Sequence, residues 1–193
     1  MAKREQTSED IVRKKRPNRR GRTFLIYLIG ILVALGLAAF VAFSFGYSIP
    51  VCDSSMSSTL DSGDRVLVNR IAYAVGKPSR GDIVAYRKSD SQETEIRIKR
   101  VIGIPGDTVR IEDGQVRING QVYLDDRSYP SILNPGLASK DIVLESNEYF
   151  LLGDNRNDSE DSRFADVGNI MKNEIIGKVW FIIDPSEDFG FIS

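Results

Sequence analysis

The longest apolar stretch of the chain covers residues 24–45 and contains no formal charge. A hydrocarbon core roughly 30 Å thick needs about 20 apolar residues to span it as a helix, so this segment predicts a transmembrane helix over 23–46. Past Pro50 the pattern changes to short runs with a period of two, broken by Gly, Pro, Asn and Asp. Arg65-Val66-Leu67-Val68-Asn69, Asp82-Ile83-Val84-Ala85-Tyr86 and Ile96-Arg97-Ile98-Lys99 predict strands, as do residues 148–152 and the apolar run 174–183. Residues 108–124 carry Asp113-Gly114 and Asn119-Gly120, dipeptides suited to type I′ turns with φ > 0, and predict a small meander. Residues 125–140, with Pro130 and Pro135, predict a long loop. No segment after the apolar run keeps a period of 3.6. The expected fold is therefore mostly β, an antiparallel β domain preceded by one N-terminal transmembrane helix.

Charge places this organisation in a membrane. Residues 1–22 hold nine Lys/Arg against three acids, although the whole chain has a net charge of −1. A basic tail before an apolar span is the positive-inside pattern, so residues 1–22 are expected in the cytoplasm, 23–46 in the bilayer and the 47–193 domain outside the cytoplasm. A nucleic-acid-binding arm is the competing reading of such a tail, but the arm abuts the span and lacks interleaved aromatic residues. A cleaved signal peptide normally has an apolar region of about 7–15 residues, shorter than this one, and a retained anchor is the expectation.

Two counts narrow the chemistry. A single cysteine, Cys52, leaves no intrachain disulfide. The absence of histidine excludes a Ser-His-Asp triad, a Cys-His pair and a His-ligated zinc. Ser55 lies ten residues beyond the apolar run, and a chain reaches at most about 3.3–3.6 Å per residue, so any chemistry at Ser55 takes place close to a membrane. Its neighbours Ser54, Ser57, Ser58 and Thr59 also suit an ordinary polar turn. A serine hydroxyl needs an adjacent base to become a nucleophile. Without histidine, the side-chain candidate is a lysine kept neutral by burial. Lys99 ends an alternating strand before the apolar Val101-Ile102-Gly103-Ile104, yet the alternation sets it on the face opposite Ile98, where an exposed lysine is equally natural. Residues 153–163 hold four acids, two arginines and two serines, the composition of a solvated turn or of a polar scaffold behind a site.

Taken together, these segments resemble the bacterial type I signal peptidases, in the compact, single-anchor form found in Gram-positive bacteria. The resemblance rests on Ser55-Met56 followed by Thr59-Leu60, on Gly63-Asp64-Arg65-Val66-Leu67-Val68 and on Arg80-Gly81-Asp82-Ile83-Val84. It rests further on Lys99-Arg100-Val101-Ile102-Gly103-Ile104-Pro105-Gly106-Asp107 and on residues 153–163. It implies the antiparallel β fold shared with repressor-type proteases, a membrane-facing apolar surface, and a serine endopeptidase that needs no cofactor and no metal. Ser55 is the implied nucleophile and Lys99 the general base. Ser159 is the implied partner of the lysine, Asp161 and Arg163 form a structural ion pair with Arg100 in the same polar shell, and Met56 packs the base. Val51, Ala85 and Ile98 are the implied walls of shallow pockets for the small side chains of an Ala-X-Ala site. The implied partners are signal peptides of exported preproteins and the lipid bilayer, with pilin subunits or the secretion translocon as further candidates and no nucleic acid.

Two positions depart from the family's pattern. Asp53 stands where Gly or Ser usually contributes to the oxyanion hole, leaving the Ser55 amide, Ser54 and the Asp53 amide as candidate donors. Ser58 stands where Pro is usual. Such departures are associated with relatives in surface-pilus assembly, so a homologue with reduced or no peptidase activity and a chaperone role is the alternative. A self-cleaving repressor is disfavoured by the span and by the lack of an N-terminal DNA-binding domain.

Overall fold

The computed structural model describes residues 19–88, 95–125, 127–183 and 189–192. Most of the basic tail expected over 1–22 therefore lies outside the described residues, as does Asp126 of the expected loop. The apolar run forms helix α1 (Arg19–Phe45), with no acidic or basic residue in its last turn. It is long and apolar enough to cross a membrane. The chain divides into two units, residues 1–40 and 41–193. Within the second unit, the end of α1 is fastened to the β structure. The amide of Arg70 donates to the carbonyl of Ser44, the Arg70 guanidinium lies over the rings of Phe43 and Tyr47, and Trp180 Nε1 donates to the Phe45 carbonyl.

The remaining elements, in chain order, are β1 (Tyr47–Pro50), β2 (Arg65–Asn69), a single helical turn α2 (Ala72–Val75), β3 (Ile83–Tyr86), β4 (Arg97–Gly103), β5 (Thr108–Glu112), β6 (Gln115–Ile118), β7 (Gln121–Val122), β8 (Ile142–Val143), β9 (Glu148–Leu152), β10 (Ile170–Met171), β11 (Ile175–Ile183) and β12 (Phe189–Phe191). Among the described residues they form an eight-stranded sheet in the order β1-β2-β11-β3-β4-β9-β10, with β12 on β11, and a four-stranded sheet β7-β6-β5-β8. All of these pairings are antiparallel. The mostly β, antiparallel class expected from the sequence is the class observed. The two turn dipeptides are left-handed, with φ of 53° and 73° at Asp113-Gly114 and 53° and 80° at Asn119-Gly120, as type I′ hairpins require.

Strands β1, β8, β10 and β12 and the turn α2 are additions to the sequence reading, and the long loop contains a 3-10 turn at Gly136–Ser139. These pieces have two to four residues, too few to carry a period. Three apolar clusters make the core. One gathers Val51, Met56, Leu60, Val66, Val68, Ala85, Ile98 and Val179 under the β1–β2–β11 end. A second lies beneath the small sheet around Val109, Ile111, Ile118, Leu144 and Phe150. The third packs Val84, Tyr86, Val101, Tyr149, Leu151 and Ile170. Strand β4 contributes Ile98 to the first, Ile102 to the second and Val101 to the third. It is flanked by β3 and β9, with apolar packing on both faces.

Candidate functional site

The double coverage of β4 removes the ambiguity about Lys99. Its side chain is 1% exposed although it alternates with the core residue Ile98. Ser55 lies in the turn that follows β1, and its neighbour Met56 anchors that turn in the first core cluster. The loop after β9 is drawn onto this turn. The Asn155 amide donates to the Ser55 carbonyl at 2.9 Å, and a Cβ added at Gly153 would lie 2.1 Å from Ser159 Oγ and 2.5 Å from the Ser55 carbonyl oxygen. Only glycine fits between those two groups.

Lys99 Nζ hydrogen-bonds to Ser55 Oγ in this setting. Ser55 Oγ in turn donates to Asp53 Oδ1 at 2.6 Å, the Ser55 amide donates to the same oxygen at 3.1 Å, and Asp53 Oδ2 lies 3.5 Å from Nζ. Burial pushes the Lys99 pKa below its ordinary value. Asp53 and Asp161 oppose the fall and Arg97 adds to it. Burial raises the Asp53 carboxyl, but the Ser55 hydroxyl, Lys99 and the Ser55 amide outweigh it and hold the pKa below the usual carboxylate range. The orientation of Asp53 could not be read from the sequence. Its carboxylate faces the very amide expected to serve as an oxyanion donor.

The polar run 153–163 is not a solvated turn. Asp154, Arg156, Asp161, Ser162 and Arg163 are all buried. Asp161 accepts from Arg163 Nε and Nη2 at 2.8 and 2.9 Å, from the Gly153 amide at 3.1 Å and from Ser159 Oγ at 2.9 Å. Among the described contacts, Ser159 thus meets Asp161 and no bond joins it to Lys99. Arg100 belongs to a neighbouring pair. Its Nε and Nη2 grip Asp154 at 2.8 and 2.7 Å, and Thr59 and Tyr129 donate to the same carboxylate at 2.6 and 3.2 Å. Asp154 is the residue the sequence reading left without a role. Its composition signal was lost among the other acids of the run.

Val51, Ala85 and Ile98 come together in the first core cluster and are nearly fully buried. Beside Ser55 opens a cleft of about 590 Å³ lined by a different set, Asp53, Ser54, Glu95, Arg97, Asn157, Asp158, Ser159, Glu160 and Phe164. Most of these are charged or polar residues of loops, which no apolar period could single out.

Ser58 has φ of +90°. Proline is locked near −65°, so this turn is a different conformation from one with Pro at that position, not a looser version of it. Ser58→Gly is expected to stabilise the protein by up to ~1 kcal/mol and Ser58→Pro to destabilise it by more than that. Urea unfolding of the full chain in detergent micelles checks both.

A buried lysine bonded to a serine, in a histidine-free β domain behind an apolar helix, defines the class to which the chain is to be compared. The family model for signal peptidases, peptidase S26, matches residues 22–183. Among curated relatives, a probable signal peptidase I-2 of Synechocystis sp. is 31% identical over 96% of this chain and 86% of its own length. Signal peptidase I of Leptolyngbya laminosa is 36% identical over 78% of this chain and 72% of its own, and signal peptidase I S of Bacillus subtilis is 33% identical over 92% and 95%. The chain belongs to the signal peptidase family, peptidase S26, and is a serine peptidase of the signal peptidase I type. With its apolar N-terminal helix, it fits a membrane-anchored protein.

Proposed function

We propose that this protein removes N-terminal signal peptides from exported preproteins by a Ser-Lys dyad, with Ser55 as nucleophile and Lys99 as general base. The observation that carries the reading is the Lys99 amine, buried and in hydrogen-bond contact with Ser55 Oγ. Desolvation favours the neutral amine, the form able to take a proton. Ser55 Oγ attacks the scissile carbonyl carbon while its proton passes to Nζ. Collapse of the tetrahedral intermediate breaks the C–N bond, and the proton moves from Nζ to the leaving amine. The acyl group stays on Ser55 as an ester until a water, deprotonated by the same amine, releases it. The Asp161–Arg163 and Arg100–Asp154 pairs hold the loops that carry the neighbouring groups. The Ser55 amide is the oxyanion donor the geometry offers.

The expected substrate carries Ala-X-Ala before the cut. Val51, Ala85 and Ile98 stay buried in the first core cluster, and the peptide is expected to lie extended beside Ser55 in the cleft that Glu95 and Arg97 line. The positive-inside pattern of the basic tail supports a cytoplasmic N-terminus with the β unit on the outer side of the cell membrane. Exposed Phe189 and Phe191, the latter in tilted contact with Trp180 and edge-to-face contact with Phe181, suit contact with lipid.

The placement of Asp53 on the Ser55 amide favours a second reading, a pilus-assembly homologue with little or no peptidase activity whose partners are pilin subunits or the translocon. A cleavage assay separates the two. The full chain in detergent micelles is expected to cut a signal-peptide substrate after the second Ala of Ala-X-Ala, and to cut it at least ~10-fold more slowly when that Ala is replaced by Leu, with fragments identified by mass. Binding without any cleavage establishes the second reading.

A further inference from the structure

Asp53 makes three contacts, each with a group the proposed reaction needs in another state. Its Oδ1 accepts the Ser55 amide proton, which the reaction needs for the oxyanion. The same oxygen accepts the Ser55 hydroxyl proton, which the reaction must hand to Lys99. Its Oδ2 stands 3.5 Å from Lys99 Nζ, where a negative charge favours the ammonium over the amine required of a base. A carboxylate oxygen on an oxyanion-hole amide has the charge and hydrogen-bonding pattern of the tetrahedral intermediate's oxygen.

We infer that Asp53 is a built-in plug of the oxyanion hole: in the substrate-free enzyme its carboxylate takes the place of the reaction's oxyanion, and the substrate must expel it before Ser55 can attack. The inference rests on the Ser55–Lys99 reading above. The side chain is half exposed, so its expulsion into the adjoining cleft uncovers no core. In the resting arrangement Ser55 Oγ donates to Asp53 and accepts from Lys99 Nζ, the reverse of the proton transfer the reaction needs. Entry of the scissile carbonyl replaces the carboxylate at the Ser55 amide. Removing the anion from beside Nζ also leaves desolvation less opposed, and the amine loses its proton more readily. The plug thus ties activation of the base to occupation of the oxyanion site.

Other charges facing Lys99 remain when Asp53 is changed. Asp161 faces it from the loop after β9, and Arg97 lies two residues before it on β4, paired with Glu160 at 2.9 Å. Tyr86, on the neighbouring strand β3, is buried and its pKa is raised, so it is neutral in the working range. Glu95 and Asp158 line the same cleft. The acid limb of the rate profile is therefore shifted, not abolished, by loss of Asp53.

The test compares Asp53→Asn and Asp53→Gly with the parent, all as full chains in detergent micelles cutting the same Ala-X-Ala peptide. Asn keeps the size of the side chain and decides the question. It is expected to raise kcat/KM by at least ~10-fold, a fraction of the ~10²–10³ that one oxyanion donor supplies, and to move the acid limb of kcat/KM to lower pH. Gly, which removes the side chain, raises the plateau further. An Asn variant that cuts no faster than the parent, or whose acid limb stays in place, overturns the plug and makes Asp53 a positioning residue of the Ser55 turn. Lys99→Ala in the Asp53→Asn background separates failure of the foundation. Cleavage by that double variant at the rate of Asp53→Asn alone overturns the Ser-Lys reading and the plug with it. A faster Asp53→Asn that Lys99→Ala silences supports both.

Discussion

Ser55→Ala and Lys99→Ala are each expected to lower kcat/KM for a signal-peptide substrate by at least ~10⁴-fold, and the double variant to fall little further. Residues that act as one unit in covalent catalysis lose nearly everything with the first deletion. Without Oγ there is no acyl acceptor. Without Nζ the hydroxyl has no base, since the described neighbours of Ser55 include no other amine and Asp53, with its lowered pKa, is a poor proton acceptor. The stability effects differ in sign from the activity effects. The folded Lys99 pKa lies below the value of 10.5 for an unperturbed lysine. Between the two pKa values the unfolded chain binds more protons, so this group makes stability rise with pH across that window, and below it the buried ammonium opposes folding. Lys99→Met is therefore expected to be inactive yet at least as stable as the parent at neutral pH, and to lose the rise in stability toward alkaline pH. Urea midpoints measured at several pH values alongside cleavage rates check this. A Lys99→Met protein that is both inactive and strongly destabilised at neutral pH would show that the lysine holds the fold and would remove the evidence for a base.

Asp154→Ala is expected to cause the largest loss of stability of any single polar substitution in the domain. Asp154 is fully buried and the side chain of Arg100 is 4% exposed. Breaking such a pair leaves an uncompensated buried charge and costs roughly 3–5 kcal/mol. Here it also removes the acceptor for Thr59 and Tyr129 and for the second arginine, Arg127, at 3.5 Å. Thr59 belongs to the turn that carries Ser55, so activity falls with stability. Replacing both partners, Arg100→Leu with Asp154→Leu, is expected to cost less than Asp154→Ala alone, because no charge is stranded. The urea midpoint of the full chain reads both. A double variant less stable than the single one contradicts the stranded-charge account.

The residues explain which parts of this structure were legible beforehand. Alternation marked β2, short apolar runs marked β3, β9 and β11, and the two Xaa-Gly dipeptides marked the β5–β6–β7 hairpins, because apolar runs and left-handed turns leave a local mark. Alternation could not find the burial of Lys99, because β4 is packed on both faces and the period of two then carries no information about exposure. The 153–163 run misled in the opposite direction. Its charges look solvated in sequence, yet Asp161 and Arg163 neutralise each other inside the protein, and buried Asp154 pairs with Arg100, 54 residues away. The orientation of Asp53 depends on the hydroxyl and amide of Ser55, two residues on, and on an amine brought in from β4, which no local pattern encodes. The pocket residues Val51, Ala85 and Ile98 came only from resemblance, whereas the open cleft is lined by polar loop residues.

The central claim is that peptide-bond cleavage passes through an ester on Ser55. The most direct test uses a peptide nitrophenyl ester ending in Ala-X-Ala, for which acylation is fast and release of the acyl group limits turnover. Mixed with the full chain in micelles and quenched in acid, it is expected to give a burst of about one equivalent of nitrophenol per active enzyme. Mass spectrometry of the digested enzyme is then expected to find the acyl group on the peptide that contains Ser55. An acyl group on any other residue, or steady release with no burst and no adduct, would contradict the account.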